Sequence, residues 1–335
     1  MRKISLLIIV LAGLLVPAPA GGHGKLHCKR ISSEAFFRGQ VDPIAMRGEP
    51  QSMHSHDFFG NQLLLRLPQP ELATYDQLVG GPTDCQNKTD SALYWVPTLM
   101  AGGRPLDPFS FIAYYRDFDR DLTGTGVEAY PPDMRLVAGD PQGTGPQPLS
   151  VVNWSCGFTS SRPGPYRSPV EAACHRASGK AFLTSHISFP TCWDGQLNDH
   201  ATMGDTTDTE HVVYPVRKAC PAGFPHKLPE LRMTLKWDYQ GDGRDVTLAS
   251  GSPYTMHGDF WNTWVQTGLE QMVDQCINTS SGHPHGSQTV CGFPFPGGGG
   301  GGRSSAAATA AGAATDPALV EPAPGASGAT DPALV

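Results

Sequence analysis

The chain has little charge. Lys, Arg, Asp and Glu make up 16% of its 335 residues, and 24 basic against 31 acidic residues give a formal net charge of −7. A nucleic-acid binder would need a basic face, so that class is set aside. Long hydrophobic runs are missing too. The longest, Ile4 to Val16, is well short of the roughly 20 residues that span a bilayer. No Cys-x-x-Cys occurs, which removes zinc ribbons and thioredoxin-like chemistry. There is no P-loop and no Gly-x-Gly-x-x-Gly ahead of a helix, so no nucleotide cofactor is expected. Ser185 stands beside His186, but without the Gly-x-Ser-x-Gly elbow of a serine hydrolase.

What is abundant is Gly (39) and Pro (31), the two residues that most disfavour helix interiors. The expected fold class is therefore mainly β: a single disulfide-linked β-sandwich or jelly-roll-like domain with long loops and one or two short helices. Met1-Arg2-Lys3, the apolar run and Ala18-Pro19-Ala20 form a signal-peptide pattern over residues 1–20, so the chain is expected to be secreted, with no membrane span after removal. The mature start would be Gly21-Gly22-His23, which does not provide the terminal histidine of a copper brace. From residue 296 the chain is a Gly/Ala/Pro tail in which Ala314–Val320 recurs as Ala329–Val335. Such a tail has too little apolar surface to offset its ordering entropy, and reads as a disordered spacer over 296–335.

That leaves residues 21–295 as one globular domain. It holds all eight cysteines: Cys28, Cys85, Cys156, Cys174, Cys192, Cys220, Cys276 and Cys291. An even count in an exported chain reads as four disulfides, but eight cysteines allow about 105 pairings. Cys276–Cys291, closing a Ser/Gly/His/Pro loop, is the one local expectation. Sequons stand at Asn87, Asn153 and Asn278. Strand signals lie at 92–96, 109–115 and 181–189. Leu231–Trp237 alternates with period two and, with Val246–Leu248 after a Gly-Asp-Gly turn, reads as a hairpin. Asp238, Asp242 and Asp245 fit that turn better than a calcium loop, whose spacing they miss. A helix is expected over Trp261–Cys276 with Asp259 as N-cap.

Three segments carry chemistry. In Met53-His-Ser-His-Asp57, His54 and His56 have the i, i+2 spacing that puts both side chains on one side of a strand. That suits two ligands of one divalent metal, two acid/base groups in a cleft, or a pair of structural histidines. In Ser185–Gly195, His186 sits in an apolar strand, and Trp193 and Asp194 crowd a glycine turn. Asp194 reads as a general acid or as a turn-former. In Tyr254–Trp264, His257 and Asp259 form an acid/base pair if Asp259 faces a cleft. Tyr254, Trp95, Trp193 and Trp261 are candidate sugar-stacking surfaces or core. Asp199-His200 and Glu210-His211 add two acid–histidine steps.

Ten motifs recur in order along the core: Asp42-Pro-Ile44, His54-Ser-His56 with Gly60, Tyr94-Trp-Val-Pro97, Pro131-Pro-Asp-Met-Arg135, Ala138-Gly-Asp140, Phe189–Gly195, His211–Pro215, Cys220-Pro221, Leu228-Pro229 and His257–Asn262. Over residues 40 to 275 the chain thereby resembles the family known only as domain of unknown function nineteen ninety-six (DUF1996). That family occurs in fungi, often beside WSC wall-binding modules, and in actinobacteria. The resemblance implies an exported, disulfide-linked domain and supplies no activity.

The leading functional expectation is an extracellular hydrolase or lyase acting on polysaccharide or cell-wall glycan. His54, His56, His186 and His257 would gather in one cleft, with Asp194 or Asp259 close by. The alternatives are a non-catalytic carbohydrate-binding or wall-structural protein, and a metal-binding secreted protein with His54 and His56 as ligands.

Overall fold

Alternating apolar and polar residues in the longer strands decide the architecture, because successive side chains of a strand point to opposite faces. In Glu230–Trp237, for instance, Leu231, Met233 and Leu235 turn one way and Arg232 and Thr234 the other. The computed structural model describes residues 23–28, 37–117, 126–157 and 161–278. The expected leader and tail lie outside them.

The strands, in chain order, are β1 (His23–Cys28), β2 (Phe37–Gly39), β3 (His56–Gly60), β4 (Leu93–Pro97), β5 (Leu99–Ala101), β6 (Arg104–Pro105), β7 (Pro108–Arg116), β8 (Arg135–Gly139), β9 (Val152–Ser155), β10 (Leu183–Ser188), β11 (Cys192–Trp193), β12 (Val212–Val213), β13 (His226–Lys227), β14 (Glu230–Trp237), β15 (Val246–Leu248) and β16 (His257–Trp261). Two five-stranded sheets dominate, in the orders β1-β7-β14-β10-β9 and β2-β3-β4-β16-β8, with two three-stranded sheets beside them. Every pairing is antiparallel, as a β-sandwich requires.

The inner faces share one core. Phe111, Ala113, Tyr115, Leu231, Met233, Leu235 and Ile187 of the first sheet meet Phe59, Tyr94, Val96, Leu136, Ala138 and Phe260 of the second. Phe59 stacks on Phe111 with ring centroids 4.3 Å apart. Each such side chain contributes about 1.5–3 kcal/mol by leaving water. The buried Tyr94 and Tyr115 hydroxyls are paired: the Tyr94 Oη lies 2.7 Å from the Tyr115 Oη and donates to Asp90, and the Trp264 N–H donates to the Tyr115 Oη.

The second sheet is apolar on its outer face as well. Phe58, Leu93, Trp95 and Trp261 pack there against Val41, Ile44, Leu64, Ala73 and Leu78. The segments 41–44 and 64–78, on either side of β3 in the chain, thus form a strap over that face. Gly258 faces inward, where an added Cβ would stand 3.1–3.3 Å from Met233 and Ile187. The sheets approach closely there, beside His257. Gly139, opposite His257 in the register, has φ +89°, and a Cβ would come within 2.5 Å of the Met256 carbonyl oxygen.

Three expectations are corrected. Trp261 does not open a helix. It ends β16, and the helix is shorter, Gln266–Met272, followed by a π turn over Val273–Ile277. Asp259 is accordingly a mid-strand residue and not an N-cap. Leu231–Trp237 and Val246–Leu248 do not pair with each other: β14 lies between β7 and β10, and β15 pairs with β5. Disulfides join Cys28–Cys85, Cys156–Cys174 and Cys192–Cys220. Cys276 is also disulfide-bonded, and Cys291, its expected partner, lies outside the described residues.

Candidate metal centre

His56 opens β3 and His257 opens β16, with β4 between them. His56 pairs with Pro97, and the β16–β4 register, Asp259 opposite Trp95, carries His257 to the same level. Residues level across a sheet project to one face, so both imidazoles rise on the strap side and meet over Pro97. Their ring centroids are 5.9 Å apart. His54, in the irregular chain just before β3, completes the group at 4.4 Å from the His56 ring and 5.3 Å from the His257 ring. The Nε2 atoms of His54 and His257 are 3.4 Å apart, and one ligand atom from each of the three rings lies within 4.8 Å of the others.

The outer hydrogen bonds fix which nitrogens face inward. His56 Nδ1 lies 3.0 Å from the Val41 carbonyl oxygen, and His257 Nδ1 lies 2.8 Å from that of Thr255. A carbonyl only accepts, so each Nδ1 carries the proton and each Nε2 presents a lone pair. The Nε2 of His56 is buried without any partner. Backbone carbonyls that orient imidazoles in this way are the usual outer support of a metal site. The rings are neutral. Burial holds the His56 pKa well below the ordinary value, with the neighbouring His257 and His54 adding to it. Burial alone lowers that of His54, and burial first of all brings His257 to about 4. Neutral imidazole is the form that binds metal.

Asp259 follows two residues after His257 on the same face. Its carboxyl is 1% exposed, its Oδ2 has no hydrogen-bond partner, and that oxygen stands 3.8 Å from the His257 Nε2. Burial, and after it the nearby Asp42, pushes the Asp259 pKa well above the carboxylate range. Asp42 itself accepts the N–H groups of Ile44 and Ala45 and is raised to about 6 by burial. An unpartnered buried carboxyl oxygen beside imidazole lone pairs is an electron-rich set of the kind that cations complete. Three histidines with one open side is also the ligand set of catalytic zinc. Access lies past His54, which is partly exposed, and its neighbour Met53, which is 83% exposed.

The remaining candidates sit elsewhere. His186 is on the outer face of the first sheet, held between Thr234 Oγ1 at 2.9 Å and Ser155 Oγ at 3.3 Å, with its pKa lowered to about 3 by burial and by Arg232, Lys236 and Arg116. Asp194 caps its own turn and accepts from His211 Nδ1 at 2.9 Å. Trp193 donates to the Gln196 carbonyl and lies beside His226. Trp95 stacks on Phe58 in the strap core, and Trp261 lies there under the Arg135 guanidinium, 4.2 Å from its ring centroid. Tyr254 is partly exposed, and its carbonyl accepts from Gln147. None of the four expected sugar platforms therefore flanks the imidazoles as an open indole face, because the strap has buried the two on this sheet.

A second network gathers residues that the spacing of motifs did not join. His200 is not paired with Asp199. Its Nδ1 lies 2.9 Å from Asp133 and its Nε2 3.0 Å from Asp208. Asp133 also accepts from the Arg135 guanidinium and from the Trp261 N–H. Burial pulls the His200 pKa down, but the bonds to Asp133 and Asp208 prevail and raise it to about 9. A raised pKa contributes stability in full below the unfolded value near 6.5, and that contribution is lost as pH climbs through 9. Unfolding free energies from denaturant titrations between pH 6 and pH 10 are therefore expected to fall by on the order of 2 kcal/mol, and His200→Asn should flatten that slope. An unchanged slope in the variant would place the pH dependence elsewhere.

Among the described residues no helix is long and apolar enough to cross a membrane. No curated protein and no solved structure matches the chain. The family described as "Domain of unknown function (DUF1996)" matches residues 42–264, a span that holds His54, His56, His257 and Asp259 together with the strap that encloses them. With well over half of its length so matched, the chain belongs to the DUF1996 family.

Proposed function

We propose that this is an exported protein with a divalent transition-metal centre, formed by His54, His56 and His257 with Asp259 behind them, and that the centre acts on extracellular polysaccharide. The observation that carries the metal reading is the convergence of three imidazoles, two of which, His56 and His257, turn their Nε2 lone pairs inward because their Nδ1–H groups bond outward to carbonyls. Neutral nitrogen donors with one carboxyl suit zinc, copper, cobalt or nickel better than calcium or magnesium, which take oxygen ligands. Such an ion supplies Lewis acidity to a hydrolytic or lyase reaction.

The chain's own residues then have separate tasks. His56 and His257 are rigid, anchored through the Val41 and Thr255 carbonyls to the strap and to the start of β16. His54 is the outermost ligand and borders the open side, where a substrate would enter. Asp259, which burial favours as the neutral acid, would supply negative charge from beneath once a bound cation displaced its proton. Export is supported by the leader pattern of residues 1–20 and by the disulfides, which persist in oxidising compartments. The glycan substrate is supported by the Gly/Ala/Pro tail, which reads as a wall-spanning spacer, and by the open acid–imidazole site.

Elemental analysis of purified, undialysed protein is expected to find a transition metal, close to one per chain. Chelated protein titrated with zinc in a calorimeter should recover a single site with submicromolar affinity. A polysaccharide screen with product analysis, run with and without chelator, then tests the reaction. No bound metal and no zinc binding tighter than about micromolar would end the metal reading, whereas metal binding without turnover would end only the enzymatic one.

A further inference from the structure

The outer face of the first sheet holds a second site, independent of the metal centre. Residues facing away from the core there are polar where a surface of this depth would ordinarily be apolar. Arg232 is level with Tyr114 on one side and Ser188 on the other, and Arg116 is level with Glu230. Together with Asn153 and Tyr214, four of these residues, Arg116, Ser188, Glu230 and Arg232, line a cavity of about 280 Å³. That is near the lower end of ligand pockets, which run from about 300 Å³ upward, and suits a ligand of monosaccharide size.

The charges inside are unequal. The Arg116 fork is fully engaged: its Nε donates to Glu230 Oε2 at 3.0 Å and its terminal nitrogen to Oε1 at 2.7 Å. These two side chains neutralise each other. Arg232 has no such forked partner, although the Glu230 charge favours it from nearby. Its Nε is buried without a hydrogen bond, beside a second cation. Burial, and after it the Arg116 charge, draws the Arg232 pKa down, so the guanidinium is held where charge is disfavoured. The Arg232 side chain is partly exposed and lines the cavity, and its buried Nε has lost water without gaining an acceptor, a cost that an oxyanion in the cavity would offset. Further uncharged polar groups, Ser188 and the side chain of Asn153, face the same space.

We propose that this cavity binds the carboxylate of a small acidic ligand, with Arg232 as the anchor and the hydroxyl and amide groups around it reading the rest of the molecule. One unpaired guanidinium balances one negative charge, and its planar fork matches the two oxygens of a carboxylate. Glu230, already in place, opposes a dianion. A uronic acid sugar has the required charge, size and hydroxyls; inorganic phosphate shares the oxyanion but carries the second charge that Glu230 disfavours.

The test uses the full chain and three probes: sodium glucuronate, glucose and inorganic phosphate. Saturation-transfer NMR and titration are expected to show millimolar binding of glucuronate, with glucose and phosphate at least tenfold weaker. Arg232→Gln should lower glucuronate affinity at least tenfold, and Arg232→Lys, which keeps the charge without the fork, should fall between. Removing a partly exposed guanidinium whose buried Nε lacks an acceptor does not unfold the protein on this account, so Arg232→Met is expected to match or exceed the wild-type thermal midpoint. Glucuronate binding that survives Arg232→Gln, glucose binding as tight as glucuronate, or tighter binding of phosphate would each overturn the assignment. So would a wild-type protein that binds none of the three. A large loss of stability in Arg232→Met would show that the guanidinium is satisfied within the fold, and would overturn it equally. Chelating the protein leaves every one of the binding readouts unchanged, which separates this site from the metal centre.

Discussion

His257→Ala is expected to lower zinc affinity about a hundredfold or more, and His56→Ala by a similar factor, while His226→Ala leaves it unchanged. The size of the effect follows from where the donors come from. Changing an outer partner of a metal ligand typically weakens binding by about 10–100-fold, and removing the ligand itself costs more. His56 and His257 are the two rings whose inward nitrogens are set by carbonyl bonds, so neither is replaced by a small movement of a neighbour. His226 is bonded to Glu128 on another sheet and serves as the control for histidine loss as such. The same series has a stability readout. A ligand at about a thousand times its dissociation constant stabilises the folded state by ~4 kcal/mol, so saturating zinc should raise the wild-type unfolding midpoint and leave that of His257→Ala where it was. His54→Ala, the mildest of the set for folding because its ring is partly exposed, distinguishes lost ligation from lost structure. Wild-type zinc affinity in His257→Ala would remove the centre.

The second large effect concerns Asp133. Asp133→Ala is expected to destabilise the protein by about 3–5 kcal/mol, because it leaves the Arg135 guanidinium, whose side chain is 2% exposed, as an uncompensated buried charge. The loss is compounded at His200 and at the Trp261 N–H, both of which use the same carboxylate. Backbone geometry adds to it: Asp133 has φ +67°, a conformation that Asp and Asn tolerate and Ala adopts at a cost of about 1 kcal/mol or more. Asp133→Asn, which keeps the backbone preference and one acceptor, should fall between wild type and Ala. The diagnostic variant is the double one. If an orphaned charge is the cause, Asp133→Ala with Arg135→Met costs less than Asp133→Ala alone, since the methionine still packs on Trp261 and no charge is stranded. Equal or additive losses in denaturant unfolding would show that the packing, and not the charge, was removed.

The sequence carried the local half of both networks. Aromatic and β-branched runs marked β4, β7 and β10, because those residues fit a pleated half-buried surface. The i, i+2 spacing of His54 and His56 announced two imidazoles on one side, whereas nothing in the sequence said that Gly258, between His257 and Asp259, lies where the sheets come close. Partnership across strands was not legible. Nothing in Leu231–Trp237 says that its neighbours are β7 and β10 and not Val246–Leu248, since a period of two fixes the faces of a strand and not its register partner. His186 shows the same limit. Its apolar strand pattern demanded a hydrogen-bond partner, and Thr234 and Ser155 supplied it from strands on either side. The tryptophans could be read as sugar surface or as core, and the choice was not local: the strap contributes Val41, Ile44 and Leu64 from earlier in the chain and buries Trp95 and Trp261 as core. The eight cysteines were countable, but their pairing depends on the folded geometry.

The ligands of the proposed centre come from opposite ends of the domain, with 203 residues separating His54 from His257. A ribosome adding about 5–20 residues per second takes roughly 10–40 s to cover that interval. Throughout it the growing polypeptide holds only the His54/His56 pair of the proposed ligand set. The third donor arrives with β16, the last strand to join its sheet. Ion capture is thereby deferred until translation of the domain is nearly finished, so the ion would be drawn from whichever compartment receives the completed polypeptide, and a chain truncated before β16 would go without one.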